Sequence, residues 1–194
     1  MKNLANFLFE VGMLKRTPRT GFQFLGSGAE SVAEHIFRAA IIGYTLAKLD
    51  DQADVGRTVL LCLFHDIPEA RTGDQNYVNK KYVRTDEMKA VEDLARTLPF
   101  GGDYRQLVEE FCARESREAL LAQDADQLEM ILALKEYKDL GNRNADEWFP
   151  FSVKRLRTEA ARQLAEVIWT TDSSRWWFDD DTEWWVTGEK PGPA

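Results

Sequence analysis

Apolar residues recur every three or four positions along most of the chain, and this spacing predicts a series of amphipathic α-helices. Prolines and glycines between residues 16 and 30 interrupt the spacing and predict a loop. Ser31, followed three positions later by Glu34, predicts a helix start with a capping box. The predicted helices cover residues 1–16, Ser31 to about Leu49, about Asp54–His65, and segments near Thr85–Thr97, Asp103–Arg114, Ser116–Leu140 and Phe151–Thr170.

The chain shows no convincing strand pattern before residue 173, so the sequence predicts an all-α fold with a single core. The segment SRWWFDDDTEWWVTG, residues 174–188, predicts a small aromatic hairpin or tail with aspartates at its turn. Its two Trp–Trp pairs give apolar surface that we expect to pack on the core or on a second subunit. We therefore divide the chain into a helical domain over residues 1–170 and a tryptophan-rich tail over residues 171–194.

Composition and charge narrow the class of protein. Hydrophobic residues make up 44% of the chain, which is typical of a globular protein. A formal net charge of −8 would repel a phosphate backbone, so we expect no binding to nucleic acid polymers. No apolar run approaches the ~18–20 residues of a membrane span or resembles a signal sequence, so we expect a cytoplasmic protein with no membrane partner. The isolated Cys62 and Cys112 predict core packing, not a disulfide.

The chain contains only two histidines, and both lie in apolar surroundings. His35 shares a helical face with Val32 and Ala39, which directs it inward. His65 ends the most apolar predicted helix and is followed directly by Asp66. A buried imidazole beside a buried carboxylate is costly unless something satisfies both, and a divalent cation would do so. The alternatives are a hydrogen-bonded core histidine and a His–Asp pair that caps a helix.

Three segments give the chain a resemblance to a known family: ESVAEH (residues 30–35), HDIPEARTGD (residues 65–74) and ADQLEM (residues 125–130). They are similar to segments of the HD-domain superfamily of metal-dependent phosphohydrolases, and most similar to its 5′-deoxynucleotidase branch. LKRTPRTGF, residues 14–22, adds to this similarity. The resemblance covers roughly residues 4–140. It implies an HD-type helical bundle, a homodimer, and a divalent ion that is Mn, Co, Fe, Ni, Zn or Mg.

The resemblance also implies a set of metal ligands. His35 would be the first ligand, and His65 and Asp66 the second and third. The fourth would be an aspartate on the long helix, where helical periodicity leaves both Asp124 and Asp126 open. The family pattern places this ligand directly before a Gln-Leu-Glu-like stretch, which favours Asp126.

Three further positions match functional residues of the family. Glu69 stands one helical turn after Asp66 and would act near the reacting phosphate, where it manages the proton of the leaving group. Arg19 would hold the substrate phosphate, and Asp74 would contact the sugar. The simpler alternatives are a helix-dipole partner for Glu69, a helix or turn cap for Asp74 and a solvated loop cation for Arg19.

The activity that the resemblance implies is metal-dependent hydrolysis of (deoxy)nucleoside 5′-monophosphates to nucleoside and phosphate. Phosphodiesterases and nucleoside-triphosphate hydrolases of the same superfamily share the metal-binding box, so the fold alone does not separate these activities. An alternative of another class is a non-catalytic binding or scaffold module whose tryptophan-rich tail is the working surface. Metal content and phosphate release would distinguish the enzymes from the scaffold.

Overall fold

A computed structural model describes residues 1–177 and 184–188 of the chain. Within these ranges no residue lies in a β-strand, although an isolated bridge joins Pro18 to Ser31. The all-α prediction is therefore confirmed. The helices are α1 (Lys2–Val11), α2 (Phe22–Leu25), α3 (Val32–Leu49), α4 (Val55–Phe64), α5 (Glu69–Thr72), α6 (Asn79–Tyr82), α7 (Glu87–Ala95), α8 (Gly101–Ala113), α9 (Arg117–Asp139), α10 (Ala145–Val153), α11 (Glu159–Thr170) and α12 (Trp184–Thr187), with a 3₁₀ turn at Gly12–Lys15.

The centre of the fold is formed by α3, α4 and α9, which pack against one another. Leu46, Leu61 and Leu128, one from each helix, are fully buried in a single apolar cluster. Gly43 lets α3 approach α4 closely, because a Cβ at this position would lie 2.6 Å from the Sγ atom of Cys62. This packing brings together one face of α3, the end of α4 and the middle of α9. Among the described residues, no helix has both the length and the apolar character to cross a bilayer.

Side-chain caps fix where these three central helices begin. The Ser31 hydroxyl accepts a hydrogen bond from the Glu34 N–H, and the Glu34 carboxylate accepts one from the Ser31 N–H at 2.7 Å. This is the predicted capping box, and it satisfies N–H groups that the first turn of a helix leaves unpaired. Asp54 caps α4 and Ser116 caps α9 in the same way, each accepting from a backbone N–H three residues on. The predicted starts of all three helices are confirmed.

The single helix predicted over Phe151–Thr170 is wrong, because the chain breaks between α10 and α11. Asp124, fully buried on α9, accepts hydrogen bonds from the N–H groups of Arg157 and Thr158 and from the Thr158 hydroxyl, at 2.7, 2.8 and 2.7 Å. The Thr158 hydroxyl in turn caps α11. Helical periodicity continues across this segment, so the break depends on a contact from a residue more than thirty positions earlier.

The tail departs from the predicted hairpin where the structure describes it. Trp184–Thr187 forms the short helix α12 in place of a second strand, while the predicted aspartate turn at residues 179–181 lies outside the described residues. Trp176 is 86% exposed and Trp177 is 52% exposed, so neither is buried against the core. Packing of the tail on a second subunit stays a prediction.

The two cysteines have different environments. Cys62 on α4 is fully buried, which confirms the core-packing prediction, and this burial raises the pKa of its thiol to about 12. Cys112 on α8 is exposed, so the same prediction is wrong there. The buried stripe of α8 includes Leu107, Val108 and Phe111, and position 112 turns past the edge of that stripe.

Candidate metal centre and substrate cavity

The two histidines present buried Nε2 atoms to the same space. His35 Nδ1–H donates to the Glu129 carboxylate at 2.6 Å, and His65 Nδ1–H donates to the Cys62 carbonyl at 2.7 Å. In the neutral ring with its proton on Nδ1, each Nε2 carries a lone pair, and neither Nε2 has a hydrogen-bond partner among the described residues. The two ring centroids lie 5.8 Å apart. Each histidine is therefore oriented so that its Nε2 atom can coordinate a cation.

Two carboxylates face these Nε2 atoms. Asp66 Oδ2 lies 3.1 Å from His65 Nε2 and 3.5 Å from His35 Nε2, while Asp126 Oδ1 lies 3.2 Å from His35 Nε2. Ligand atoms of His35, His65 and Asp126 all lie within 4.8 Å of one another. The structure thus brings together, from α3, the end of α4 and α9, the four side chains that the family resemblance implied as ligands.

A proton on His35 competes with a cation at this place. Burial and the nearby Arg19 lower the pKa of His35, but Asp126 and Glu129 outweigh them and raise it to about 10. The acidic surroundings therefore favour positive charge at His35 Nε2. A divalent ion supplies that charge in place of the proton.

The structure separates the two candidate aspartates on α9. Asp126 lines the cavity described below and faces His35, whereas both carboxylate oxygens of Asp124 accept hydrogen bonds from the segment between α10 and α11. The two positions lie about 200° apart around a helix, so only one can face the histidines. The geometry favours Asp126 as the fourth ligand and gives Asp124 a structural task.

Alanine substitutions at these two positions are expected to act on different properties. Asp124→Ala leaves buried backbone N–H groups without an acceptor and is expected to cost about 2 to 4 kcal/mol of folding free energy while metal stays bound. Asp126→Ala is expected to lose metal and keep most of the stability. Denaturant unfolding and elemental analysis of both variants check this. A greater loss of metal in Asp124→Ala would reverse the assignment.

Glu129 is a functional candidate that the sequence analysis missed. Fully buried, it holds His35 through one oxygen, and its other oxygen accepts from Arg38 Nε and Nη2 at 2.9 and 2.6 Å. Burial raises the pKa of Glu129, but the contacts with His35 and Arg38 lower it overall to about 2, so it is ionised at neutral pH. A carboxylate on the far nitrogen of a ligand histidine fixes its tautomer and makes it a better donor. The available signal was the spacing, since Glu129 stands one helical turn after Asp126.

Removing this carboxylate's charge is expected to weaken metal binding without removing a ligand. Glu129→Gln should lower metal affinity about 10- to 100-fold, measured by competition with a chelator. Glu136→Gln is the matched control, because Glu136 also accepts from Arg38 at 2.6 Å but is hydrogen-bonded to Arg38 and not to His35. Equal losses in the two variants would show that Arg38, and not the histidine contact, is responsible.

Glu69 lies on α5, one turn beyond Asp66, and lines the same cavity. Its Oε2 atom is buried and has no hydrogen-bond partner. Burial raises the pKa of Glu69, and the carboxylates of Asp66 and Asp74 raise it further, to about 9. A carboxyl group with such a pKa keeps its proton at neutral pH and can donate it.

Arg19 and Asp74 lie on the same side of the cavity. Arg19 Nη1 is 3.7 Å from Asp66 Oδ2. Burial lowers the pKa of Arg19, but Asp126, Asp66 and Asp74 together raise it above its usual value, so the guanidinium stays charged. Asp74 Oδ2 accepts hydrogen bonds from the N–H of Thr20 at 2.6 Å and from its hydroxyl at 3.3 Å. Asp74 therefore also anchors the loop that carries Arg19.

A cavity of about 590 Å³ is lined by six of these residues: Arg19, His65, Asp66, Glu69, Asp74 and Asp126. All six are buried or half-buried, and we call them the floor of the cavity; five exposed cations also line it, and we call them its mouth. None of the five is in an ion pair with another described residue. The sequence analysis did not select them, although three follow closely in the stretch KRLR. They are Lys80, Arg114, Lys154, Arg155 and Arg157.

The cavity can therefore take an anion despite the net charge of −8. Phe22, Met130 and Trp148 add apolar wall area beside the charged groups. Polar and charged groups dominate the lining of this concave site, which suits a small charged ligand. Arg114 ends α8 in a left-handed backbone conformation, with φ of 58°, which is a common way for a helix to terminate.

The chain is similar in sequence and fold to several known proteins. A family model described as an HD domain matches residues 11–169, which include every site residue named above. The 5′-deoxynucleotidase HDDC2 of Bos taurus is 36% identical over 148 residues, or 73% of this chain and 71% of that protein. A solved structure of a conserved hypothetical protein from Pyrococcus furiosus has a TM-score of 0.72 at 32% identity, covering 84% of this chain and 96% of that one. Another, called a predicted metal-dependent phosphohydrolase, from Magnetospirillum magnetotacticum MS-1, has a TM-score of 0.66 at 25% identity and covers 86% and 89%.

Proposed function

Because the chain belongs to the HD-domain family, we propose that it is a metal-dependent phosphomonoesterase that hydrolyses (deoxy)nucleoside 5′-monophosphates to nucleoside and phosphate. The family relationship supports a phosphohydrolase, and the relatives named as 5′-deoxynucleotidases support a nucleotide as the substrate. The cavity supports an anionic ligand with an apolar part, which is the chemistry of a nucleotide.

The observation that carries this proposal is the pair of unpartnered, buried Nε2 atoms facing two carboxylates. Lone pairs and carboxylate oxygens at such distances repel one another unless positive charge lies between them. We assign that charge to a divalent ion held by His35, His65, Asp66 and Asp126. Their imidazole and carboxylate donors suit Mn, Fe, Co, Ni or Zn. When bound, the ion lowers the pKa of water towards about 7 and offsets negative charge on phosphoryl oxygens.

Arg19 would bind the phosphate, and Glu69 would donate the proton that the leaving group needs. The guanidinium fork of Arg19 matches two phosphoryl oxygens, and its charge is retained at every relevant pH. As water forms a new P–O bond and the bond from phosphorus to O5′ breaks, the leaving oxygen needs a proton. Glu69, protonated near neutral pH, can give its proton to that oxygen. The products are a nucleoside and inorganic phosphate.

The nucleoside would extend from the floor towards the mouth. Met130 and Trp148 offer apolar surface to a base, and the exposed cations at the mouth raise the local concentration of anionic substrate. Asp74 lines the same cavity, and we keep the proposal that its carboxylate accepts a hydrogen bond from a sugar hydroxyl.

A substrate panel tests the proposed activity, with inorganic phosphate measured directly and all nucleotide products separated by chromatography. Full-length protein is supplied with Mn²⁺ or Co²⁺ and assayed on dAMP, dCMP, AMP, a cyclic dinucleotide and dGTP. We expect release of phosphate from the monophosphates. Turnover of the cyclic dinucleotide or dGTP alone would replace the proposal with a phosphodiesterase or a triphosphate hydrolase. Protein without metal and without activity on any substrate would favour the scaffold.

Two further predictions concern assembly and location. We propose a homodimer, because the exposed Trp176 and Trp177 leave apolar surface that a second copy could cover. Light scattering of the full chain checks this, and a monomer at micromolar concentration would contradict it.

We also keep the cytoplasmic location and the division into residues 1–170 and 171–194 as proposals.

A further inference from the structure

Gln127 joins the candidate ligand Asp126 to the mouth of the cavity. Its Nε2 donates to Asp126 Oδ2 at 2.8 Å, and its Oε1 accepts from Arg155 Nη1 at 3.3 Å. The Arg155 guanidinium also lies over the ring of Tyr77, 4.9 Å from the ring centroid. A continuous chain of contacts therefore runs from the metal end, through α9 and the segment after α10, to the opposite wall.

The chemistry of the two neighbours dictates the residue type at position 127. An ionised carboxylate only accepts hydrogen bonds, and a guanidinium only donates them. The residue between Asp126 and Arg155 must donate to one and accept from the other, which an amide does in a single orientation. Methionine has a similar length but cannot donate and accepts only weakly, so Gln127→Met removes the bond to Asp126 and weakens the bond from Arg155 while nearly keeping the shape.

The bond from Gln127 divides the two oxygens of Asp126 between different tasks. Oδ2 is taken by the amide, while Oδ1 lies 3.2 Å from His35 Nε2. Rotation of an aspartate carboxylate about its last bond is otherwise nearly free. Without the amide, the carboxylate could turn both oxygens towards the same cation or turn towards Arg19.

We propose that Gln127 is a positioning residue that makes Asp126 a one-oxygen ligand, and that Arg155 holds Gln127 in place from the mouth of the cavity. This inference rests on the metal assignment made under the proposed function. Under this proposal, Arg155 at the mouth of the cavity is connected to the candidate ligand Asp126 by hydrogen bonds through the side chain of Gln127.

Metal binding by the full chain, measured without substrate, tests the inference. Metal-free protein is titrated with Co²⁺ and followed by visible absorption and calorimetry. Gln127→Met is expected to lower the Co²⁺ affinity about tenfold or more, in the range found when a partner of a metal ligand is removed, and to change the absorption spectrum. Arg155→Met should give a smaller loss of the same kind, and the double variant less than the sum of the two losses, because both act through one chain of bonds.

Gln123→Met is the matched control. Gln123 lies one turn earlier on α9 and lines the same cavity, but its Nε2 donates to the Phe111 carbonyl and not to a candidate ligand. Its Co²⁺ affinity and spectrum should stay at those of the parent. The inference is overturned if Gln127→Met binds Co²⁺ with parental affinity and spectrum, or if Gln123→Met shows the same loss.

Asp126→Asn, titrated in parallel, separates failure of this inference from failure of the proposed function. If Asp126→Asn loses Co²⁺ affinity and Gln127→Met does not, the metal assignment stands and the positioning role is wrong. If Asp126→Asn binds Co²⁺ as the parent does, Asp126 is not a ligand, and both the assignment and the inference fall.

Discussion

His65→Ala and Asp66→Ala are each expected to lose bound metal and phosphate release together, with activity falling to background. Both side chains face the space between the helices, and each contributes a buried donor atom that no other residue replaces. Elemental analysis of purified protein and a phosphate assay on the same sample measure the two losses. Neither substitution removes a member of the apolar core clusters, so the helical circular dichroism should be kept.

The matched control for this experiment is Asp93→Ala, which removes an aspartate from α7 that pairs with Lys89 and lies outside the cavity. It should keep both metal and activity. Full phosphate release from a metal-free His65→Ala or Asp66→Ala protein would end the metal-dependent proposal.

Glu69→Gln is expected to keep its metal and lose turnover. Glutamine has the shape of glutamic acid but no acidic proton, so kcat should fall by ~10²–10⁴ while the KM for the nucleotide changes little. The same burial and neighbouring carboxylates that raise the pKa of Glu69 to about 9 make its neutral form the natural one, so a neutral amide should disturb the fold little.

Steady-state kinetics at saturating Mn²⁺ and elemental analysis check this expectation. Glu92→Gln, an exposed change on α7, serves as its control. A parental kcat in Glu69→Gln would remove the proton-transfer role, and a loss of metal would mean that Glu69 supports the ion instead.

The positions of most helices and the inward orientation of the two histidines could be predicted from the sequence, because the patterns that encode them are local. The capping box at Ser31 and the cap at Asp54 are each encoded within four residues, and both are present in the structure. The apolar face of α3 placed His35 inside, where it is fully buried. Local patterns succeed when the interaction that decides the structure lies within a turn or two of helix.

The features that escaped prediction depend on contacts between distant segments. The break after α10 was not predicted, and helical periodicity alone left the two α9 aspartates open, although the family pattern favoured Asp126. Both have one cause in the structure, the hydrogen bonds from residues 157 and 158 to Asp124. In the sequence, nothing distinguishes Glu129 from the other charged residues of α9, because its contact with His35 forms only when α3 packs against α9. The cations at the mouth come from three separate parts of the chain, so their convergence follows only from the fold.

Asp124 and Asp126 are two residues apart on α9 and connect it to two different parts of the site. Asp124 accepts hydrogen bonds from the segment that carries Lys154, Arg155 and Arg157, and Asp126 lies among the candidate metal ligands. The distance between the cations at the mouth and the candidate metal ligands is therefore set by contacts to one helix and not by a flexible loop. A fixed distance favours ligands of matching length. A folded variant in which the hydrogen bonds to Asp124 are weakened is therefore expected to accept a broader range of phosphate esters than its parent.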